Sequence, residues 1–181
     1  FFRGKSVVSI GGGNTAIEET LHLCKFAAKV TLLHRRDEFR ATKVLQEELI
    51  AKTKEPNTNL LIKYSTLAVA IDGKDRVESV RLKNVKTNKE EDYPCEGVFI
   101  FVGMVPGTGF LKGFVDLTKD GFIKCDFAYL RTSVPGVFVA GDCRVAAAMQ
   151  LATAVGDGVN AAMQLKNYFR DPNWWTQPVT G

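Results

Sequence analysis

The chain opens on a short apolar run at residues 5–10 that stops at Gly11, Gly12 and Gly13, after which the apolar positions change period. Ile17, Leu21, Cys24 and Ala28 recur every three or four residues, so the pattern predicts a strand, a glycine turn and a helix over 14–26. Residues 30–33 read as a second strand. Thr42 starts a second helix that runs to residue 51, with Val44, Leu45, Leu49 and Ile50 as its inner face, and Lys54-Glu55-Pro56-Asn57 breaks it. A third strand follows at 60–64. This β-α-β-α-β order is half of a doubly wound parallel sheet with right-handed crossovers.

The middle of the chain changes character. Segments 67–71 and 77–85 and the region of Tyr93 alternate between apolar and polar residues, with polar turns at 72–75 and 86–89 between them. They predict an antiparallel meander covering one face of the first sheet. Residues 97–103 are continuously apolar and read as a central parallel strand. Pro106-Gly107-Thr108-Gly109 is the candidate hinge, which divides the chain into domains at 1–105 and 106–181. Past it, 121–124 and 137–140 read as strands and 151–169 as a closing helix, mildly broken by Gly156 and Gly158. The tail at 171–181 has no periodicity; Trp174 and Trp175 are expected to pack on their own domain or to stay loose rather than to dock a partner. With one real helix and few strands, the second part buries too little to stand alone and reads as one piece of a divided domain.

Composition narrows the class. The 181 residues are 45% hydrophobic and 24% charged, as in a soluble globular protein. No segment approaches the roughly 20 apolar residues needed to cross a bilayer. Nor is a signal peptide expected, since Phe1-Phe2-Arg3-Gly4-Lys5 leads straight into a strand. The expectation is a cytoplasmic protein with no membrane partner. A net charge of +4 is mild, and much of it sits near Arg35, Arg36, Arg40 and Lys43, so nucleic acid is not the expected partner. The cysteines, Cys24, Cys95, Cys125 and Cys143, are too far apart for a Cys-x-x-Cys pair or a zinc knuckle and read as buried free thiols.

The candidate chemistry lies at the glycine turn and at His34-Arg35-Arg36-Asp37-Glu38-Phe39-Arg40. Gly11 permits the tight turn, Gly13 lets a pyrophosphate approach the backbone, and Ala16 lets the helix pack close to the strand. The amides of Asn14 and Thr15 would meet an anion at the positive end of the helix, and the Thr15 hydroxyl could add a bond. One half-unit later an acidic residue would bind the ribose hydroxyls of NAD. Here His34 closes the second strand beside Arg35 and Arg36, with Arg40 a few residues on, and guanidinium forks suit a 2′-phosphate. The cofactor read from these residues is NADPH. The alternative is a solvated basic strand end paired with Asp37 and Glu38. Glu18 lies on the helix side that could face the nicotinamide, whereas Glu19 needs only the helix dipole to explain it.

Further residues carry a family resemblance. Gly-Gly-Gly-Asn-Thr-Ala-Ile-Glu-Glu at 11–19, His-Arg-Arg-Asp-x-Phe-Arg-Ala at 34–41 and Gly-x-x-Pro-x-Thr at 103–108 resemble the low-molecular-weight, bacterial-type thioredoxin reductases. So do the segment 132–142, ending Ala140-Gly141-Asp142, and Gln150-Leu151-Ala152-Thr153-Ala154. The resemblance spans nearly all of residues 1–170. It implies an α/β fold in which a Rossmann-like NADPH domain is followed by the C-terminal part of a discontinuous FAD domain. It also implies a homodimer that passes hydride from NADPH to FAD, then electrons to a dithiol and on to thioredoxin. In that reading Gly11, Gly13, Asn14, Thr15 and Glu18, with His34, Arg35, Arg36 and Arg40, hold NADPH. Gly141 and Asp142 meet the FAD ribitol, and Met149, Gln150 and Leu151 lie against the flavin.

The chain departs from the family at several points. The family's Cys-x-x-Cys and FAD glycine fingerprint would lie upstream of Phe1, so the chain as given is expected to bind NADPH without turning over. Met149 stands where arginine is usual, and Pro106-Gly107-Thr108 where Pro-Asn-Thr is usual. Two alternatives stay open: an NADPH-dependent flavoprotein serving ferredoxin or a peroxidase partner, and a non-catalytic NADPH-binding module.

Overall fold

Neighbouring side chains of the first strand face opposite ways, and both directions are buried. In the computed structural model, which describes residues 1–178, strand β1 (Ser6–Gly11) sends Val7 into one apolar cluster and Val8 into another. Leu32 and Leu33 of β2 (Lys29–Leu33) divide in the same way. A strand with two buried faces needs a layer on each side, and the sequence supplies two kinds. Helices α1 (Asn14–Leu23) and α2 (Lys43–Thr53) form the layer that receives Val7, Val30, Leu32 and Leu60, through Ile17, Leu23 and Leu49. An antiparallel sheet of β4 (Thr66–Asp72), β5 (Ser79–Asn84) and β6 (Glu90–Pro94) forms the other, with Val80 and Leu82 against Val8 and Leu33. Each fully buried Leu or Ile here is worth about 1.5–3 kcal/mol relative to exposure.

The parallel sheet runs β3-β2-β1-β7, where β3 is Leu60–Lys63 and β7 is Gly97–Phe101. The mixed α/β class with one parallel and one antiparallel sheet is therefore as the sequence indicates. The position of β7 is not: it is parallel to β1 but lies at the sheet edge, not the centre. Its apolar run has a different cause. Phe99 packs into the helix-side cluster, Val98 into the other, and Ile100 and Val102 stay more than half exposed. Gly97 is needed because the Phe2 ring lies where a Cβ would be, in edge contact with Phe99.

Two helices also differ from expectation. Helix α1 ends at Leu23, where Lys25 N–H turns back to His22 O and Phe26 N–H to Leu23 O, and Asn59 Nδ2 donates to the Cys24 and Ala27 carbonyls. In α2 only Leu49 is fully buried; Leu45 and Ile50 are half-buried and Val44 is 72% exposed, because the helix lies at the periphery.

The chain divides into two compact units, Phe1–Gly103 and Met104–Gly181. The expected hinge residues 106–109 lie inside the second unit, where Thr108 is buried and its hydroxyl donates to Gly121 O. This unit contains α3 (Leu151–Arg170) and loops around a small core of Val115, Ile123 and Val139. Segments 121–124 and 137–140 are not strands; they meet their neighbours only through isolated bridges, Ile123 with Leu117 and Arg144, and Phe138 with Arg131. Gly156 and Gly158 do not interrupt α3. Trp174 and Trp175 pack on their own unit, against Tyr129, Phe138 and Tyr168, and Arg131 donates to the carbonyls of Trp174, Trp175 and Gln177. Residues 179–181 of the tail lie outside the described residues.

Candidate functional site

The parallel strands of the first unit end at one cleft of about 640 Å³. Ile10 and Gly11 from β1, Leu33 from β2 and Ile100 and Phe101 from β7 bring their carboxyl ends to it. Open α/β sheets bind ligands at such strand ends. Residues 66–71 of β4 form an apolar wall on which Leu67, Val69 and Ile71 are 38–47% exposed. His34, Arg35, Arg36 and Arg40 form the basic rim.

Close packing explains two of the three glycines. A Cβ on Gly11 would lie 2.5 Å from both Ala16 Cβ and the Phe101 carbonyl oxygen. One on Gly12 would lie inside the His34 ring, 2.2 Å from Cε1. Around Gly13 the space is open. Gly13 is the N-cap of α1 and no side chain caps the helix, so the first-turn amides, including those of Asn14 and Thr15, have no capping side chain. Behind the turn, the fully buried Ser9 and Thr20 hydroxyls are 2.8 Å apart. Thr20 Oγ1 donates to Ala16 O within α1, which leaves the Ser9 hydroxyl to donate to Thr20 and tie β1 to α1.

The arginine loop is fastened to the turn. Gly12 O accepts the amides of Arg40 (2.8 Å) and Ala41 (3.2 Å), and Asn14 Oδ1 accepts Thr42 N–H. Arg35, Arg36 and Arg40 are exposed, and no carboxylate pairs with them among the described residues. Asp37 is taken elsewhere: hydrogen bonds from Lys86 Nζ (2.6 Å) and the Ser65 hydroxyl hold its carboxyl below the usual carboxylate range. The basic rim is thus not neutralised by Asp37 or Glu38. Glu18 is exposed on α1. Gly13, Asn14, Thr15 and Glu18 are not in the wall of the cleft but on the adjoining first turns of the helix.

The remaining candidates are in the second unit. Gly141, at φ +79°, makes a turn that suits glycine, and its N–H donates to Asp157 Oδ2 (3.0 Å) on α3. Asp157 also takes a two-pronged bond from Arg144, Nε to Oδ2 at 2.6 Å and Nη2 to Oδ1 at 3.0 Å. The segment ending in Asp142 is thereby held to the helix that begins after Gln150. Asp142 is half-buried, Met149 sits at φ 56°, Gln150 is the exposed N-cap of α3, and Leu151 is 84% exposed. All four cysteines are free as expected, but only Cys95 is buried and the other three are half-buried; burial pushes the Cys24 thiol up to about 11 and raises Cys95 and Cys125 as well, which makes these three poor nucleophiles.

Sequence reasoning missed Gly12 and the β4 wall. The wall was signalled by the alternation of Leu67, Val69 and Ile71, but Gly12 had no local signal, because its partner His34 is reached only through the fold.

The family model for pyridine nucleotide-disulphide oxidoreductases matches residues 2–158. The chain belongs to this family. Among its relatives, the thioredoxin reductase of Treponema pallidum is 42% identical over 170 residues, covering 93% of this chain and 52% of that protein. The thioredoxin reductase of Streptomyces coelicolor is 37% identical over 168 residues, with 93% and 51% covered. The crystal structure of thioredoxin reductase from Streptococcus pyogenes superposes with a TM-score of 0.71 at 38% identity, covering 94% of this chain and 54% of that one. The resemblance drawn from the motifs thus leads to relatives of the same name within the pyridine nucleotide-disulphide oxidoreductase family. The chain spans about half the length of the curated relatives it matches. Among the described residues, no helix is long and apolar enough to cross a membrane.

Proposed function

We propose that this chain supplies the NADPH site, and part of the flavin site, of a thioredoxin-disulfide reductase. One observation carries the reading: three guanidiniums without acidic partners rim a cleft at the carboxyl ends of parallel strands, beside an uncapped helix N-terminus. Arg35, Arg36 and Arg40 suit the 2′-phosphate, and Gly13 with the amides of Asn14 and Thr15 suits the pyrophosphate. Glu18 is assigned to the nicotinamide side. The open space at Gly13 and the size of the cleft fit a dinucleotide.

Gly141, Asp142, Met149, Gln150 and Leu151 are assigned to FAD, with the Asp142 carboxylate suited by its chemistry to accept from a sugar-like hydroxyl chain. A bound flavin supplies the two-electron chemistry between nicotinamide and disulfide. This chain's own residues bind and orient; its cysteines include no Cys-x-x-Cys pair for exchange with thioredoxin.

The deciding experiment replaces Arg35 and Arg36 together with alanine and titrates NADPH and NADH. Each lost charge-assisted contact costs about 1.5–3 kcal/mol, so NADPH should weaken at least about a hundredfold and NADH little. Equal weakening of both would reduce the arginines to surface charges. For the whole enzyme, NADPH oxidation that depends on added thioredoxin supports the activity; turnover indifferent to thioredoxin redirects it to another acceptor.

A further inference from the structure

His34 stands out among the residues of the basic rim. It is 5% exposed, whereas Arg35, Arg36 and Arg40 are exposed. Its Nε2 lies 2.8 Å from Glu38 O, closing the loop that carries Arg35 and Arg36. Its ring stacks on Phe39, with centroids 4.9 Å apart and planes 26° apart. The Nδ1–Cε1 edge lies against Gly12, in the space a Cβ would fill. The backbone continues the pattern: His34 N–H donates to Lys63 O, and His34 O accepts Thr66 N–H. Gly12 O meanwhile holds the far end of the loop at Arg40 and Ala41. The arginine loop is therefore clamped to one glycine at both ends, by a ring at residue 34 and by two amides at residues 40 and 41.

We infer that His34 is a positioning residue for cofactor choice: with Gly12 it sets where Arg35 and Arg36 stand, and so how strongly the site prefers a 2′-phosphorylated nucleotide. The inference rests on the NADPH reading above. A ring enclosed in this way, with Nε2 engaged by Glu38 O, acts through the loop and not as a phosphate ligand. Gly12 is part of the same device, since any side chain there takes the place of the ring. Guanidiniums recognise phosphate through directed forks, so a loop displaced by one side-chain width forfeits contacts that an alcohol at the same position never made.

The test uses the full 181-residue chain and follows nicotinamide fluorescence during titration with NADPH and with NADH. In His34→Ala the preference for NADPH over NADH should fall about tenfold, the size of roughly one lost charge-assisted contact, with NADH affinity changed less than about twofold. His34→Gln, whose amide can still donate to Glu38 O, should keep the preference within about threefold of the parent. Gly12→Ala should lower the preference as His34→Ala does. The double variant should be no worse than either single one, because the methyl occupies the space the ring has left.

Failure takes distinguishable forms. A parent chain with no preference for NADPH overturns the underlying site assignment. A parent that prefers NADPH, while His34→Ala keeps the preference or loses both nucleotides equally, overturns the positioning role alone. If His34→Ala does not fold, His34→Gln and Gly12→Ala decide: both indistinguishable from the parent in preference overturns the role, and loss in Gly12→Ala with retention in His34→Gln supports it.

Discussion

Replacing Asp157 with alanine tests what holds the second unit together. Its carboxylate accepts two bonds from Arg144 and one from Gly141 N–H, and the paired side chains are only 13% and 14% exposed. Removing one partner of such a pair strands the other charge in a poorly solvated place, which costs about 3–5 kcal/mol. The loss of an acceptor for Gly141 N–H lies within that range rather than adding fully to it. Against a typical domain stability of about 5–15 kcal/mol this is a large share, and the buried apolar cluster here centres on Val115, Ile123 and Val139. The assay is built into the sequence, because both tryptophans, Trp174 and Trp175, lie in this unit. At a urea slope of about 1 kcal/mol/M, the tryptophan transition of Asp157→Ala should move down by about 3–5 M, or lose its native baseline altogether. A shift below about 1 M would show that the pair is screened like a surface salt bridge, and the reasoning from burial would fail.

The other predictions use the same contacts. The Arg144 hydrogen bond holds the Asp157 carboxyl below its ordinary value, and at Asp126 the bonds from Arg131 and Tyr129 N–H outweigh the opposing effect of burial to do the same. Carboxyls lowered by folding stabilise the protein above the unfolded value of about 3.9, and that contribution disappears as pH falls through the folded values. The tryptophan signal should therefore show an acid transition below about pH 4 that salt-neutral variation between pH 6 and 8 does not; a second unit equally stable on both sides of that window would contradict it. Arg131→Ala frees the carbonyls of Trp174, Trp175 and Gln177, so the emission should shift to the red in native buffer; unchanged emission would mean that the aromatic contacts alone hold the segment. Thr20→Val leaves the buried Ser9 hydroxyl without its partner and should cost the first unit about 1–3 kcal/mol by denaturation followed with far-UV circular dichroism, whereas no loss would mean that Ser9 finds another acceptor.

Local periodicity made most of the first unit readable. The alternation along 66–84 and the helical spacing after Gly13 each arise from contacts made within a few residues, and they mark the β-α-β units and the meander before any tertiary contact is known. The place of β7 is different. A continuous apolar run fits a centre strand and an edge strand that walls a cleft equally well, and only its pairing with β1 decides. Segments 121–124 and 137–140 have the composition of strands but form only isolated bridges, so composition without a continuous partner misleads there. At the site, the turn and the arginines were visible as residue types. The diversion of Asp37 to Lys86 was not, since it joins residues far apart in sequence. Likewise, no spacing rule distinguishes Gly12, packed under an imidazole, from Gly13, which faces open space.

The pairing of β1 with β7, from Val7↔Gly97 to Gly11↔Phe101, also governs when the first unit can be completed during synthesis. Strand β1 waits for one of its two neighbours until residue 101 has left the ribosome. Until then its backbone groups on that side are open to any passing strand. A nascent chain stalled before residue 97 therefore holds a βαβαβ core with an exposed inner edge, and chaperone dependence should be greatest for stalls in that interval.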